Sequence, residues 1–383
     1  MKAKKATIFI ISVLITVSIL NVSCSNRMQN FSALLKSVQK DSPQRAERRI
    51  REFSELHDFP FVEDSVAYFL FEDTSRGQPV YLAGDFTGWR PDSLVLNRIG
   101  KTPFYFLGLT LPLNARVEYK FVVGQRWLLD PLNPHKELGG FGPNSVLMMP
   151  AYRFPREALL NMGYRVSRLD TFEFKSKILH NKREVVFYRH PKASPRAPLL
   201  VFNDGGDYLR LAVARIILDN LIGSRTIRPL NALFVNPVRR NKEYWLNDRY
   251  LRMVFDELLP QVFKKYGLTP DTLGFGGASL GGEIALYALR DYGKRLDFVF
   301  SQSGALGIEH EKLLDILQAL PRIETKIYVS YGIFENVQKE HARLQSILET
   351  KKVQYRMQEF PEGHNWGNWR GHLKDVLTFF RGH

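Results

Sequence analysis

Hydrophobic and polar residues follow four different patterns along the 383 residues of the chain. A Lys-rich start with an apolar stretch comes first, and hydrophobic residues at helical spacing follow it. The pattern then changes to short β runs separated by turns, and finally to strands that alternate with helices. We therefore predict a leader, a helical tether, a β-sandwich and an α/β domain, at residues 1–24, 25–62, 63–152 and 153–383.

Local signals define the tether and the sandwich. In the tether, Ser42-Pro43 is a typical helix start, because Ser caps the first turn and the ring of Pro fits its backbone. The sandwich is predicted from short β runs at regular intervals. Its five candidate strands are Val66–Phe71, Pro79–Ala83, Phe104–Leu109, Val117–Val123 and Ser145–Met149.

The α/β pattern begins after a connecting stretch that ends near residue 175. The candidate strands are Arg183–Tyr188, Pro198–Asn203, Asn231–Asn236, 272–276, Leu296–Ser301, Lys326–Tyr331 and Gln354–Phe360. The candidate helices are Leu211–Leu221, Tyr250–Lys265, the segment after Ser279, Lys312–Leu320 and Gln338–Leu348. This alternation predicts a mainly parallel sheet with helices on both faces.

The composition excludes some classes of protein. With 44% hydrophobic and 24% charged residues the chain is globular, not wholly disordered. Its net charge of +15 would suit a nucleic acid, an anionic membrane surface or an anionic substrate. Since neither a nucleic-acid motif nor a dense Lys/Arg block occurs, we expect no nucleic-acid partner. A basic surface without a specific partner explains the charge equally well.

Cys24 is the single cysteine, so no intramolecular disulfide can form. It follows a Lys-rich start and an apolar stretch too short to cross a bilayer comfortably. This arrangement resembles the lipobox of bacterial lipoproteins, in which the thiol is lipidated, although Asn21 stands where the lipobox usually has Leu. The resemblance implies an exported lipoprotein of the periplasm or outer membrane, held to the membrane through Cys24. Plain secretion is the alternative.

A Gly-x-Ser-x-Gly motif centred on Ser279 lies between a predicted strand and a predicted helix. In this context Gly277 and Gly281 permit a tight turn, and the turn exposes the Ser279 hydroxyl beside a helix N-terminus. By chance alone, about one chain in ten of this length would contain such a motif. A catalytic role therefore requires partners elsewhere in the chain.

Serine needs a general base to act as a nucleophile, and the base needs an acid to orient it. His364 follows the last predicted strand, at the sheet edge where Ser279 must also lie, and we predict it as the base, with His372 as the fallback. The other histidines after the nucleophile, His310 and His341, lie in charged, helix-like stretches and are predicted to face solvent.

Glu335 is the first candidate for the acid, because it follows the strand that precedes the His364 strand. A surface carboxylate is the alternative for Glu335, and Glu340, Glu362 and Asp297 are weaker candidates for the acid. For the oxyanion hole we predict the backbone N–H of Leu280, which follows the nucleophile. The Gly205-Gly206 turn is predicted to supply the second donor. This chemistry needs neither a metal ion nor an organic cofactor.

The sandwich segment resembles the glycogen-binding carbohydrate module, which is an immunoglobulin-like sandwich. The matching stretches are Val80–Trp89, Glu118–Val123, Trp127–Pro131 and Asn144–Val146. The resemblance implies that four residues hold a glucan: Trp89, Trp127, Lys120 and Asn144. Indole rings stack on sugar faces, while Lys and Asn reach hydroxyl groups. The alternative is that Trp89 and Tyr119 are core residues and that the sandwich only supports the next domain.

The α/β domain resembles the esterase D superfamily, especially its enterochelin-esterase-like branch, over about residues 172–380. The matching motifs are Asn203–Gly206, Arg240–Asn247, Glu257–Pro260, Gly277–Gly282, Ser301–Gly304 and Gly363–Arg370. The resemblance implies an α/β hydrolase with Ser279 as nucleophile, His364 as base and Glu335 as acid. It also implies an ion pair between Arg240 and Glu243 that shapes the cleft.

These observations together predict an exported serine esterase that acts on a small-molecule or glycan ester. Tyr244, Trp366 and Trp369 are candidates for the substrate pocket, with core packing an equal alternative for the two tryptophans. The sugar-type residues favour a carbohydrate ester, such as a feruloyl or acetyl ester, whereas the basic charge and the motifs favour an anionic catecholate siderophore. A non-catalytic glycan-binding surface lipoprotein and an acyltransferase are the alternative functions.

Overall fold

The computed structural model describes residues 30–73, 77–140, 142–160, 163–164 and 167–382. The predicted leader and Cys24 lie outside these residues. Within the described ranges, no helix is both long and apolar enough to cross a membrane.

Two helices precede the first sheet: α1 (Phe31–Val38) and α2 (Pro43–Leu56). As predicted, Ser42 caps α2, because its hydroxyl accepts a hydrogen bond from the backbone N–H of Arg45 at 3.4 Å. Phe31 and Phe53 pack with Phe104 of the next domain in one buried cluster. The segment predicted as a tether is therefore a helical pair packed against the sandwich.

Ten strands follow: β1 (Phe61–Glu63), β2 (Val66–Glu72), β3 (Val80–Gly84), β4 (Leu94–Val95), β5 (Asn97–Arg98), β6 (Phe104–Thr110), β7 (Arg116–Val123), β8 (Arg126–Leu128), β9 (Lys136–Gly139) and β10 (Gly142–Met148). They form two antiparallel sheets, which we call the sandwich, with strand orders β1-β2-β6-β5 and β4-β3-β7-β10-β9, and β8 pairs with β7.

Aromatic pairs join the two sheets of the sandwich. The rings of Phe69 and Tyr119 lie 4.8 Å apart, and so do those of Phe71 and Phe121. Tyr119 is fully buried, as the alternative interpretation of that residue expected. The assignment of this sandwich to the immunoglobulin-like class stays a prediction.

The α/β domain has one eight-stranded sheet. Its strands are β11 (Arg168–Ser176), β12 (Asn181–Arg189), β13 (Leu199–Asn203), β14 (Asn231–Val235), β15 (Leu273–Ala278), β16 (Phe298–Gln302), β17 (Lys326–Gly332) and β18 (Tyr355–Phe360). The order is β11-β12-β14-β13-β15-β16-β17-β18, and β13 to β18 run parallel. The mainly parallel sheet is as predicted, but β11 was predicted as a connection.

Helices cover both faces of this sheet. They are α3 (Gly205–Arg210), α4 (Ala214–Gly223), α5 (Arg240–Tyr244), α6 (Asp248–Arg252), α7 (Leu259–Tyr266), α8 (Leu280–Tyr287), α9 (Leu289–Tyr292), α10 (Lys312–Ala319), α11 (Gln338–Thr350), α12 (Trp366–Gly371) and α13 (Leu373–Arg381). A wider π-helical turn, Met253–Leu258, joins α6 to α7. Side chains of β13 alternate between the two cores, since Val201 faces one and Phe202 the other.

His341 on α11 was predicted to face solvent, and this is wrong. It is fully buried, and its ring lies 4.2 Å from that of Tyr331. Charged residues adjoin His341 in sequence, and Lys339 is exposed, so the local pattern did not indicate its inward position.

Candidate active site

The turn between β15 and α8 has the geometry expected of a nucleophile elbow. Ser279 has φ 56° and ψ −124°, a conformation that non-glycine residues rarely adopt. A Cβ atom on Gly277 would lie 2.8 Å from the carbonyl carbon of Gly281, so a larger residue would not fit there. The strained turn leaves Ser279 half-buried at the wall of a cavity.

Three side chains predicted to act together form one hydrogen-bonded chain. His364 Nε2 lies 3.0 Å from Ser279 Oγ, and His364 Nδ1 lies 2.8 Å from Glu335 Oε2. The His364 side chain is 44% exposed, whereas that of Glu335 is 1% exposed. The imidazole therefore bridges a buried carboxylate and an accessible hydroxyl.

Glu335 is held by donors on its other oxygen. Its Oε1 accepts hydrogen bonds from Ser303 Oγ and from the Gly332 N–H, both at 2.7 Å. Ser303 Oγ in turn accepts one from Trp369 Nε1 at 2.9 Å. These contacts fix the plane of the carboxylate that faces His364.

The fallback residues have other partners. His372 Nε2 lies 2.8 Å from Glu362 Oε1, and the His372 ring stacks on Phe360. Asp297 accepts a hydrogen bond from the backbone N–H of Leu273 at 2.8 Å. His372, Glu362 and Asp297 therefore do not belong to the hydrogen-bonded chain that ends at Ser279.

The predicted oxyanion donors differ in their surroundings. Leu280 begins α8, and its backbone N–H makes no hydrogen bond to any described residue, nor does that of Gly205. The Gly206 N–H, by contrast, donates to Asn236 Oδ1 at 2.6 Å. Gly206 is the second residue of α3, and its N–H already donates to the side chain of Asn236. It is therefore not free to bind an oxyanion, and the prediction for Gly206 is wrong.

Arg240 pairs with Asp204, not with Glu243 as predicted. Both Arg240–Asp204 contacts are 2.8 Å, in a bidentate arrangement. Glu243 instead accepts from Arg183 at 2.9 Å. Burial raises the pKa of Asp204, and Arg240 opposes this shift. The pair connects the loop after β13 to the elbow, since Arg240 also donates to the carbonyl of Ala278.

Tyr244 does not line the cavity, which contradicts its prediction as a pocket residue. It is fully buried, and its hydroxyl accepts a hydrogen bond from the Asp204 N–H at 2.9 Å. Trp366 and Trp369 do line the cavity and also belong to the core on one face of the sheet. For these two residues both alternatives hold.

The cavity has a volume of about 790 Å³ and lies between the two domains. The α/β domain contributes Asp207, Arg240, Ser279, His364, Asn365, Trp366 and Trp369. The sandwich contributes Trp89, Glu118, Lys120, Trp127, Gly139, Gly140 and Asn144. All four residues predicted to bind a glycan therefore line the same cavity as the Ser279 hydroxyl.

On the sandwich side, the cavity is lined by two tryptophans and by polar residues. The rings of Trp89 and Trp127 lie 6.3 Å apart at 32°. Asn144 Nδ2 donates to Glu118 Oε2 at 2.7 Å, and Glu118 pairs with Arg116 at 3.0 Å. Two indole rings of the sandwich thus line the same cavity as Ser279.

Sequence reasoning missed several residues that contact the site. Ser303, Asn365 and Asp85 lay within the matching stretches, but no role was inferred for any of them. Arg116 of the sandwich carried no local signal, because its partner in the α/β domain, Asn365, lies far away in sequence. Burial and the neighbouring Glu118 carboxylate raise the pKa of Asp85 to about 8.

Comparisons with known proteins agree with this architecture. The model of the Esterase family matches residues 176–380. Iron(III) enterobactin esterase of Escherichia coli O6:H1 is 27% identical over 271 residues, which are 65% of this chain and 66% of that protein. The chain thus spans slightly less than two thirds of that relative's length.

Solved structures show the same fold. The enterobactin esterase of Shigella flexneri, determined in the presence of enterobactin, has a TM-score of 0.69 at 23% identity, covering 83% of this chain and 93% of that one. The ferric enterobactin esterase of Salmonella typhimurium has a TM-score of 0.70 at 22% identity, with 83% and 94% covered. A ferulic acid esterase reaches 0.50 at 15% identity, with 56% and 98% covered.

The family match covers more than half of the chain and includes the elbow, Glu335 and His364. It confirms the predicted resemblance to the esterase D superfamily and the predicted enzyme class of carboxylic ester hydrolases. The chain belongs to the Esterase family, on an α/β hydrolase fold.

Proposed function

We propose that the protein is a serine carboxylesterase with Ser279 as nucleophile, His364 as base and Glu335 as acid. The observation that carries the proposal is the continuous hydrogen-bonded chain between these three side chains, at 3.0 and 2.8 Å. It ends at a hydroxyl that faces a cavity of substrate size.

The geometry supports a two-step reaction. His364 Nε2 takes the proton of Ser279 as Oγ attacks the ester carbonyl, and Glu335 stabilises the resulting imidazolium. The N–H groups of Leu280 and Gly205 donate to the oxyanion. His364 then protonates the leaving alcohol. A water molecule next attacks the acyl group while His364 takes its proton, and His364 returns that proton to Ser279 Oγ as the acid leaves.

The cavity supports an ester that carries an aromatic group. Four indoles line it, and the charged groups other than Lys120 are mostly paired: Arg240 with Asp204, and Glu118 with Arg116. Among the described residues, Lys120 has no ion-pair partner within 4 Å, so it leaves a positive charge in the cavity. An anionic catecholate ester fits this combination, and the similarity to a relative named as an iron(III) enterobactin esterase supports it.

A feruloyl ester of a carbohydrate is the second candidate. It is favoured by the Trp89–Trp127 pair, since indole faces also stack on sugars, and by the nearby amide of Asn144. A non-catalytic glycan-binding protein would not need the hydrogen-bonded chain described above. Acyl transfer would require a second, sugar acceptor in the same cavity.

The test is hydrolysis of a short-chain nitrophenyl ester by the chain without its leader, compared with Ser279→Ala. We expect the variant to lose at least about a thousandfold in kcat. Catecholate, feruloyl and acetyl-sugar esters then identify the substrate, and product on a sugar acceptor with little free acid would indicate transfer. Equal background from both proteins would contradict the esterase proposal.

Export with a lipid on Cys24 is a separate proposal that rests on residues 1–24 alone. The expected result is incorporation of labelled palmitate into the full chain expressed in a bacterium, lost in Cys24→Ser. Export of an unlabelled, trimmed protein would indicate plain secretion instead.

A further inference from the structure

We propose that the sandwich positions the catalytic base, through Asp85 and Arg116, which hold the loop that carries His364. This loop, residues 361–365 and called the His364 loop below, follows β18. The inference rests on the proposed role of His364. It gives the sandwich a second role, the positioning of the base, which is separate from stacking on a substrate.

Asp85 binds the loop on both sides of His364. Its Oδ2 accepts a hydrogen bond from Asn365 Nδ2 at 2.8 Å, directly after the base. Directly before the base, a Cβ atom on Gly363 would lie 2.1 Å from Asp85 Cγ, so the carboxylate is packed against the loop backbone. Glu118 N–H, at 2.7 Å, fixes Asp85 within the sandwich.

Arg116 holds the two ends of the same segment. Its backbone N–H donates to the carbonyl of Pro361 at 3.1 Å, and its Nη1 donates to Asn365 Oδ1 at 3.0 Å. A Cβ atom on Gly367 would lie 2.1 Å from Arg116 Cζ, so the guanidinium lies directly on the start of α12. Arg116 is itself fixed by ion pairs with Glu118 and Glu137.

The chemistry of this interface favours positioning over simple adhesion. Asp85 and Arg116 are 2% and 1% exposed, and burying such polar side chains costs more than burying hydrophobic residues of the same size. What the polar groups add is direction, because each hydrogen bond specifies where one atom of the loop must lie. The atoms specified are those of the residues adjacent to His364.

The same carboxylate also orients the cavity wall. Asp85 Oδ1 accepts a hydrogen bond from Trp89 Nε1 at 3.1 Å. One buried side chain therefore contacts both the His364 loop and an indole that lines the cavity. The contacts between the two domains are thus also contacts that hold the active site.

The experiment compares Asp85→Asn with Asp130→Asn. Asp130 is a matched control, because it is equally buried in the sandwich but its carboxylate accepts hydrogen bonds from the Tyr119 hydroxyl and the Leu132 N–H, away from the His364 loop. Asp85→Asn can replace the acceptor Oδ2 by an NH2 group, a donor, which would then face the N–H groups of Glu118 and Asn365. We expect kcat on a short-chain nitrophenyl ester to fall about ten- to a hundredfold with KM changed less than about threefold. Asp130→Asn should lower the melting temperature while keeping kcat at 25 °C.

A second readout does not depend on activity. Amide hydrogen exchange of the peptide that spans residues 360–371 should be faster in Asp85→Asn than in the wild type or in Asp130→Asn. If Asp85→Asn does not fold, Gly363→Ala tests the contact from the other side, since its methyl group displaces the loop while the sandwich is left intact.

The outcomes separate the two proposals. Unchanged exchange and unchanged kcat in a folded Asp85→Asn protein would overturn the positioning proposal, as would an equal loss of kcat in Asp130→Asn. A wild type without esterase activity would contradict the proposed function instead. In that case faster loop exchange in Asp85→Asn alone would still support the role of the sandwich in holding His364.

Discussion

Trp89 of the sandwich and Ser279 of the elbow line the same cavity, although they belong to different domains. A ligand whose ester group lies at Ser279 can therefore also contact an indole of the sandwich. The residues that resemble a glycan-binding site are, in this geometry, part of the wall of the proposed active site. Substrate recognition and catalysis should then change together when this wall is altered.

Replacing Trp127 with Ala tests this wall. Trp127 is 42% exposed, so its removal costs little stability and the folded protein can be assayed. We expect kcat/KM for a feruloyl or catecholate ester to fall up to about tenfold, because an aromatic stacking contact contributes about 1 kcal/mol. The loss for an acetyl ester should be smaller, since its acyl group offers no ring.

Trp245→Ala is the matched control for this prediction. Trp245 is also exposed, at 44%, but it lies outside the cavity and donates to Glu309. It should leave both esters unaffected. Equal losses on aromatic and acetyl esters in Trp127→Ala would contradict the stacking role.

Ser303→Ala tests the support of the acid. It removes a hydrogen bond of 2.7 Å to Glu335 Oε1, so the carboxylate that orients His364 loses one of the donors that hold it. We expect kcat to fall about tenfold. Steady-state assays at a fixed pH measure the loss.

Ser301→Ala serves as its control. Ser301 is buried at the end of β16, close to Ser303, and its hydroxyl has no hydrogen-bond partner among the described residues. Its removal should leave kcat unchanged. If both variants lose kcat equally, the effect belongs to local packing and not to the hydrogen bond.

The proximity of the three side chains proposed as the triad could be predicted because its signals are local. Ser279, Glu335 and His364 each follow a strand, and parallel strands bring such positions to one edge of the sheet. Contacts that depend on the exact orientation of a side chain could not be predicted from the sequence. Arg240 and Glu243 are close in sequence, yet Arg240 reaches across to Asp204.

The edge strand β11 and the contact between the two domains could not be predicted from the sequence either. In β11 most side chains are exposed, so it lacks the hydrophobic alternation that marks a half-buried strand. Its position is set by β12, with which it pairs along its whole length. The shared cavity likewise depends on how Asp85 and Arg116 meet the His364 loop, and no local pattern encodes that contact.

Arg240→Ala should destabilise the fold, because it leaves the buried Asp204 carboxylate without its cation. Since Asp204 is 3% exposed and Arg240 is 36% exposed, breaking this half-buried pair should cost on the order of 2 kcal/mol, between the values for exposed and buried pairs. Urea unfolding at pH 7 measures the loss. Arg210→Ala is the comparison, since its pair with Asp207 is exposed and should contribute about 0.5 kcal/mol. Similar small losses in both variants would mean that Asp204 finds another partner.

Glu283 on α8 should make stability depend on pH. Its carboxyl oxygens are buried without a hydrogen-bond partner among the described residues, and burial together with Glu309 raises its pKa to about 8. Between the ordinary pKa of a glutamate and pH 8, the folded state keeps a proton that the unfolded state has lost. The folded state binds more protons, so the free energy of unfolding should fall as pH rises through this window.

Glu283→Gln removes the titrating group and keeps the shape of the side chain. We expect the variant to lose this slope, which in the wild type can reach about 1.4 kcal/mol per pH unit. It should therefore be more stable than the wild type at pH 8.5, by urea unfolding measured at half-unit steps from pH 5. Glu309→Gln is the control, because Glu309 is exposed and contributes only the smaller charge effect. Parallel pH curves for the wild type and Glu283→Gln would show that Glu283 ionises at its ordinary pKa in the folded protein.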